Sequence, residues 1–462
     1  MPYLLNLAYL LAILLALPWL LYQRLRHGKY RQGWPEKFWG RLPRRGGDAR
    51  CLWLHAVSVG EVNLLEPLLA RWERLHPDWD CVISTTTQAG FALAKKKYAP
   101  RLVVYCPLDF TWAVNRAIRR IRPALLVLTE LELWPNLIAA AKRSGAKVAV
   151  VNGRLSEKSF RGYRRLAWLV RPVLAQLDLV AAQNKEYAER FRALGAANSA
   201  LCVTGSIKFD GARTDRQAEP VCRLAQLAGI GPEDVVFLAG STQDPEESIA
   251  LDVFQRLAPE FPRLKLILVP RHPERFNEVA ALLDRRGVKW IRRSLCSRHR
   301  GTHAMGRRDE PNNFHLLRSL GLISRSEMAT GRILLVDAVG ELGHWWGTAT
   351  IGFVGGSLTQ RGGQNMIEPA AYGVATCFGP NTWNFRDVVG QLLHHEAAVV
   401  VRNAADLEAF VRRCLADSAF ATSLGRRAQN LVLSQQGAAD RTITLLQRQT
   451  ARAKPLNRSA AA

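Results

Sequence analysis

The sequence predicts an α/β protein of two doubly wound, Rossmann-like domains facing each other across a cleft, with one transmembrane helix ahead of them. Three observations lead there. The chain has 462 residues, more than one ordinary core accommodates, and 48% of them are hydrophobic. Short apolar runs alternate with stretches whose apolar residues recur every three or four positions, as in a mostly parallel sheet covered by helices. That alternation stops in the charged stretch from Asp210 to Glu219 and then restarts.

The first element is the run from Tyr3 to Leu21. It holds ten leucines and no charge, with Asn6 and Pro18 its only strongly polar or helix-breaking members. A leucine near a helix centre favours insertion by about 0.5 kcal/mol, and a run of this length reaches across a bilayer. Arg24, Arg26, Lys29 and Arg31 follow, which by the positive-inside rule leaves the rest of the chain in the cytoplasm. A cleaved signal peptide is the rival reading. It is disfavoured because the charges come after the apolar run and no small-residue cleavage site follows. The expected division is a membrane anchor at 1–23, a basic juxtamembrane linker at 24–49, domains at 50–215 and 220–440, and a C-terminal helix and tail at 441–462.

In the first domain, buried strands are expected at 52–54, 81–83, 102–104, 125–128, 148–151 and 179–181. Function in such a sheet sits beyond the C-terminal ends of the strands. After the first strand comes His55-Ala-Val-Ser-Val-Gly-Glu61, then a helix with Val62, Leu65, Leu68 or Leu69, Trp72 and Leu75 on its apolar face. Ser58 and Glu61 have capping-box spacing, which accounts for both without any reaction. Glu61 is also a candidate general base, because the helix dipole keeps a first-turn carboxylate ionised. After the fourth strand, Glu130 and Glu132 share a face if the chain stays extended, whereas one of them tips a helix if it turns. With no nearby histidine or third acid they make a poor metal site. Lys208 either reaches the cleft as a cation for a departing phosphate or pairs with Asp210 on the surface.

The second domain repeats the pattern, with strands expected at 235–239, 266–269, 333–336, 351–354 and 374–378. The stretch from Thr350 to Pro369 reads as strand, glycine loop and helix start, with Asn365 as N-cap and Pro369 in the first turn. Free N–H groups and close backbone approach at Gly355, Gly356, Gly362 and Gly363 make it a candidate nucleotide-phosphate site. Glu368 is placed either to accept from ribose hydroxyls or to close a capping box with Asn365. Ala239 to Gln243, Arg271 with His272, and Gly340-Glu341-Leu342 follow other strands on the same rim. Arg271 and His272 suit phosphate or base contacts.

Charge and cysteines bound the partners. Against 39 acids stand 64 Lys and Arg, a formal net charge of +25, which calls for nucleic acid, an acidic membrane surface or phosphorylated substrates. Nothing resembles a nucleic-acid-binding module, so no nucleic acid is expected. The eight cysteines form no C-x-x-C pair, so reduced thiols are expected rather than zinc or disulfides. Residues 285–308 hold nine basic residues and no carboxylate, the composition of a mobile, anion-seeking insertion.

Together these pieces resemble a known family. HAVSVGE (55–61), TELELWPN (129–136), NGRLSEKSF (152–160), TGSIKFD (204–210), AGST (239–242), PRHPERF (270–276), GEL (340–342), FVGGSL with RGGQNMIEP (353–369) and FGPNTWNF (378–385) are similar, in order, to motifs of the bacterial 3-deoxy-D-manno-octulosonic acid (Kdo) transferases. Those enzymes are inverting glycosyltransferases of the GT-B type. The resemblance implies CMP-Kdo as donor substrate, with no cofactor and no metal. The implied acceptor is the tetraacylated disaccharide bisphosphate precursor of lipid A, met at an anionic inner-membrane surface, the acceptor on the first domain and the donor on the second. It makes Glu61 the catalytic base and gives Glu130 and Lys208 transition-state stabilisation. The CMP site falls to Arg271, His272, Gly340, Glu341, Leu342, Asn365, Met366, Ile367 and Glu368. Departures stand at Gln364, where the family usually has histidine, at Leu131 for threonine and at Ser206 for asparagine. Glutamine keeps a donor but carries no charge. A GT-B transferase or epimerase using another nucleotide sugar is the alternative, told apart by release of UDP rather than CMP. The number of Kdo units transferred is left open.

Overall fold

The computed structural model describes residues 2–27, 32–296 and 332–451, which form two compact units. Unit 1 runs to Gly211 and resumes at Gln435, and unit 2 is Ala212–Ser434. The boundaries expected at 215/220 and at 440 therefore move. The reason lies in the helix Ala438–Ala451, which buries Ala438, Ala439, Ile443 and Leu446 in the core of unit 1. Its first turn is held by the Asp210 carboxylate, which accepts from the N–H groups of Gly437 at 2.6 Å, Ala438 at 3.3 Å and Ala439.

Unit 1 is a seven-stranded parallel sheet of β1 (Cys51–His55), β2 (Asp80–Thr85), β3 (Leu102–Tyr105), β4 (Leu125–Thr129), β5 (Lys147–Gly153), β6 (Leu179–Ala182) and β7 (Leu201–Val203). The strand order is β3-β2-β1-β4-β5-β6-β7. Its helices are α1 (Pro2–His27), α2 (Trp34–Trp39), α3 (Val59–Leu75), α4 (Gln88–Tyr98), α5 (Thr111–Ile121), α6 (Pro135–Arg143), α7 (Glu157–Arg165), α8 (Ala167–Leu174) and α9 (Lys185–Ala193). Strands this apolar are buried on both faces, as parallel sheets require. One face packs on α5, α6 and α8 through Val114, Ile118, Leu137, Ile138, Val173 and Leu174. The other packs on α3 through Val62, Leu65, Leu68 and Trp72. Each such fully buried side chain contributes about 1.5–3 kcal/mol of apolar transfer. Leu75, expected on that face, stands 49% exposed at the helix end.

The linker expected at 24–49 is partly built into unit 1. Glu36 accepts from the Tyr105 N–H at 2.9 Å, and Trp112 Nε1 donates to the Phe38 carbonyl at 3.0 Å. The stretch Pro2–Trp19 of α1 is long and apolar enough to cross a membrane, with mean hydropathy 1.7. Its polar residues nonetheless turn toward unit 1. Asn6 Nδ2 donates to Thr111 Oγ1 at 2.8 Å while Asn6 Oδ1 accepts from the Thr111 N–H at 3.1 Å. Tyr9 donates to Asp109 at 3.1 Å. Leu4 and Leu15 on the opposite side are 71% and 83% exposed.

Unit 2 is a second seven-stranded parallel sheet of β8 (Val235–Thr242), β9 (Leu264–Pro270), β10 (Ile291–Arg292), β11 (Ile333–Leu335), β12 (Ile351–Val354), β13 (Ala375–Phe378) and β14 (Val399–Val400). The order is β10-β11-β9-β8-β12-β13-β14. The first part of the basic 285–308 stretch is thus sheet rather than insertion. Residues 291–292 pair with β11, and Arg292 binds Asp337 at 2.8 Å. Residues 297–308 lie outside the described residues.

Candidate functional site

In unit 1, β1 and β4 are neighbours whose chains leave in opposite directions, one toward β2 and one toward β5. Such a topological switch point opens a crevice beyond the strand ends. The loop after β1 delivers Glu61 there on the first turn of α3, and β4 delivers Thr129. Glu61 Oε1 accepts from the Ser58 hydroxyl at 2.8 Å, and Oε2 accepts from the Val57 N–H at 3.0 Å and Thr129 Oγ1 at 2.8 Å. Ser58 Oγ in turn accepts from the Glu61 N–H at 3.3 Å. The capping reading holds, and the cap fixes the carboxylate's direction. Below it His55 is fully buried, and burial pushes its pKa down to about 4, so the ring is neutral at physiological pH. His55 Nδ1 lies 3.0 Å from Ser84 Oγ, and its Nε2 has no hydrogen-bond partner among the described residues.

The paired acids do not continue the strand. Glu130 takes a left-handed conformation, φ 53°, which ends β4 and separates the two side chains. Glu130 Oε1 binds Lys208 Nζ at 3.2 Å, while Glu132 accepts from Trp134 Nε1 at 3.1 Å. Neither acid tips a helix, since the α6 amides of Asn136 and Leu137 go to Asp109 at 3.0 and 2.8 Å. Lys208 is likewise not paired with Asp210, whose carboxylate caps the helix Ala438–Ala451. Burial, then the charges of Glu61 and Glu130, push the Glu132 carboxyl up to about 7. Unit 1 thus brings Glu61, Glu130, Glu132 and Lys208 to one strand-end crevice.

Unit 2 corrects the glycine-loop reading. The amides of Gly356, Ser357 and Leu358 are taken by the buried carboxylate of Glu246, at 2.7, 3.0 and 3.0 Å, and the Gln243 amide joins them at 2.9 Å. The loop does bind an anion, but the anion is the protein's own side chain. Glu246, the first residue of the helix Glu246–Leu257, carries no sequence signal for this role.

The remaining predicted residues do gather beyond the ends of β9, β11 and β12. Arg271 and His272 are exposed after β9. Glu341 is held by Arg293 at 2.8 and 2.7 Å and by Trp345 Nε1 at 3.2 Å, so the turn at Gly340-Glu341-Leu342 offers mainly backbone. Met366 and Ile367 bury their side chains in the unit and likewise present main chain. The N-cap of the helix Ile367–Ala371 is Met366 rather than the expected Asn365, because the helix starts one residue later. Asn365 Oδ1 still accepts from the Ile367 N–H at 3.1 Å, and its Nδ2 donates to Glu368 at 3.0 Å, so Glu368 binds the Asn365 side chain. Burial raises the Glu368 carboxyl, and Arg213 and Arg271 oppose that rise. Arg213 also contacts His344. Sequence reasoning passes over Arg213 and His344, because the first lies in a charged stretch that reads as linker and the second in a four-residue helix.

A family model described as 3-deoxy-D-manno-octulosonic-acid transferase matches residues 31–211. The 3-deoxy-D-manno-octulosonic acid transferase of Haemophilus influenzae is 31% identical over 87% of this chain and 88% of its own. That of Chlamydia muridarum is 30% identical over 95% of each. Among solved structures, UDP-GlcNAc 2-epimerase of Neisseria meningitidis bound to UDP-GlcNAc covers 86% of this chain and 100% of its own at 9% identity, with a TM-score of 0.53. That likeness is one of fold, two parallel-sheet α/β units of the GT-B kind.

Proposed function

This chain belongs to the 3-deoxy-D-manno-octulosonic acid transferase family, and from that premise we propose that it moves Kdo from CMP-Kdo to the tetraacylated disaccharide bisphosphate precursor of lipid A, with inversion. It is a glycosyltransferase of lipopolysaccharide synthesis. The observation that carries the finer reading is the Glu61 carboxylate, aimed by three donors at a strand-end crevice. Held this way it accepts the proton of the acceptor hydroxyl as that oxygen attacks the anomeric carbon and CMP departs. Lys208 and Glu130 polarise the surroundings of the developing charge. Arg271, His272, the 340–342 backbone and Asn365 to Glu368 hold the CMP moiety, which is part of a substrate and not a resident cofactor. The test is mass spectrometry of lipid product from purified full-length protein, CMP-Kdo and the bisphosphate acceptor, with anomeric configuration read by NMR. A product lacking the Kdo mass, or UDP released from a UDP-sugar in place of CMP, overturns the reading.

We further propose that α1 anchors the protein at the cytoplasmic face of the inner membrane, in the single crossing that its length and basic flank support. A second reading, in which α1 lies along the membrane surface, is favoured by the contacts of Asn6 and Tyr9 with Thr111 and Asp109. A crossing carries Asn6 to the membrane side opposite the basic flank, whereas Thr111 stays with unit 1.

A further inference from the structure

Thr129 stands at an unusual junction. Its side chain is 1% exposed, and its hydroxyl lies 2.8 Å from Glu61 Oε2 and 3.0 Å from the His55 carbonyl oxygen. A hydroxyl has one hydrogen and two lone pairs, while an ionised carboxylate and a carbonyl only accept. With Glu61 ionised, the single hydrogen can serve one of these two oxygens at a time, and the charged one makes the stronger bond. Once Glu61 is protonated, the balance changes. The Val57 N–H and Thr129 fill both lone pairs of Oε2, so the incoming proton lands on the free lone pair of Oε1. Oε2 is then a neutral acceptor, as the His55 carbonyl is, and the Thr129 hydrogen is free to turn to that carbonyl. The Val57 N–H, 3.0 Å from Oε2, donates in both states and does not need to move. Ser58 cannot take this part, because its hydroxyl donates to Glu61 Oε1 and accepts from the Glu61 N–H, with no second acceptor for its hydrogen among the described residues.

We propose that Thr129 is a positioning residue whose hydroxyl donates to Glu61 while the carboxylate is charged and turns to the His55 carbonyl once it is neutral, so that the base is held in place for taking the acceptor's proton. This rests on Glu61 being the base. The acceptor O–H bond breaks, its electron pair forms the new bond to the anomeric carbon, CMP leaves with the electron pair of the old bond, and the proton stays on Glu61. Thr129 gains and loses no proton overall. The titratable groups that face Glu61 are the neutral His55 from β1 and Glu132 from the turn after β4, where Glu130 lies paired with Lys208.

The experiment compares Thr129→Val, which keeps shape and loses the hydroxyl, with Thr129→Ser, which keeps it, in full-length protein. Thr129→Val is expected to lower kcat at least tenfold with KM for donor and acceptor within about twofold, and to move the acid limb of the rate profile to higher pH. A positioned proton-transfer group is worth two to four orders of magnitude, so a tenfold loss on disturbing its support is a conservative expectation. Thr129→Ser should retain kcat within about threefold and leave the limb in place. Wild-type kcat and limb in Thr129→Val would overturn the proposal. So would an equal loss in both variants with an unmoved limb, which reports packing alone. Glu61→Gln is run alongside. If it keeps wild-type turnover the base assignment itself fails, whereas an inactive Glu61→Gln beside an unaffected Thr129→Val removes only the role given to Thr129.

Discussion

At the level of single residues, Glu61 accepts from donors of its own loop and of Thr129, and a glutamine in its place keeps the shape while matching those donors imperfectly. Glu61→Gln should therefore leave the fold intact, with a melting temperature within a few degrees, while turnover drops at least about a hundredfold. Glu132 makes the opposite test. Its carboxyl titrates at about 7 in the fold against an ordinary value of 4.5, because burial and the neighbouring acids penalise the charge. The unfolded chain gives up that proton first, so the penalty on the folded state begins above pH 4.5 and is complete above about pH 7. Glu132→Gln should raise the melting temperature at pH 8 and hardly change it at pH 4.5. An equal gain at both values would place the effect in packing. The capping contact of Glu61 is legible in the sequence because Ser58 stands three residues ahead of it. The sequence conceals the separate fates of Glu130 and Glu132, since a single left-handed residue decides them and nothing in glutamate announces it.

Among the elements, the eleven strands read from apolar runs all form, because strands buried on both faces have no reason to vary. Those missed are β7, β10 and β14, edge or near-edge strands of three, two and two residues whose composition resembles any loop. The glycine loop after β12 misleads for a related reason. Its pattern announces an anion but not whose, and Glu246 lies over a hundred positions earlier in the chain. Glu246→Gln would set an amide N–H₂ against two backbone N–H donors, so urea denaturation should show a loss of roughly 1–3 kcal/mol or more. A neutral result would mean that the loop holds itself. For α1, a cysteine replacing Tyr3 should be labelled by a membrane-impermeant thiol reagent applied outside spheroplasts if the helix crosses. Protection there, with labelling in inside-out vesicles, selects the surface-lying helix and keeps Asn6 on Thr111.

For the whole molecule, the +25 charge sets the terms on which it meets a bisphosphorylated lipid. Screening over about 10 Å at 0.1 M salt weakens such attraction between exposed charges. Raising salt should therefore increase the apparent KM for acceptor in anionic vesicles and leave kcat at saturation nearly constant. A KM insensitive to salt would confine the charge to some other task. The two-unit architecture is legible in the sequence from the restart of the strand pattern. The return of the last helix to unit 1 is not, because Asp210 and the Ala438–Ala451 turn meet only in space. That return has a consequence for synthesis. The core of unit 1 that includes Ile207, Leu68 and Ile443 stays open on the ribosome until some 240 further residues have been made after Gly211. At 5–20 residues per second this is about 12–50 s, during which unit 2 is made and unit 1 is a nascent fragment with a bare apolar face. A chain stopped just before Gln435 should thus yield a protease-resistant unit 2 attached to a chaperone-dependent, aggregation-prone unit 1, although every strand of both sheets has been translated.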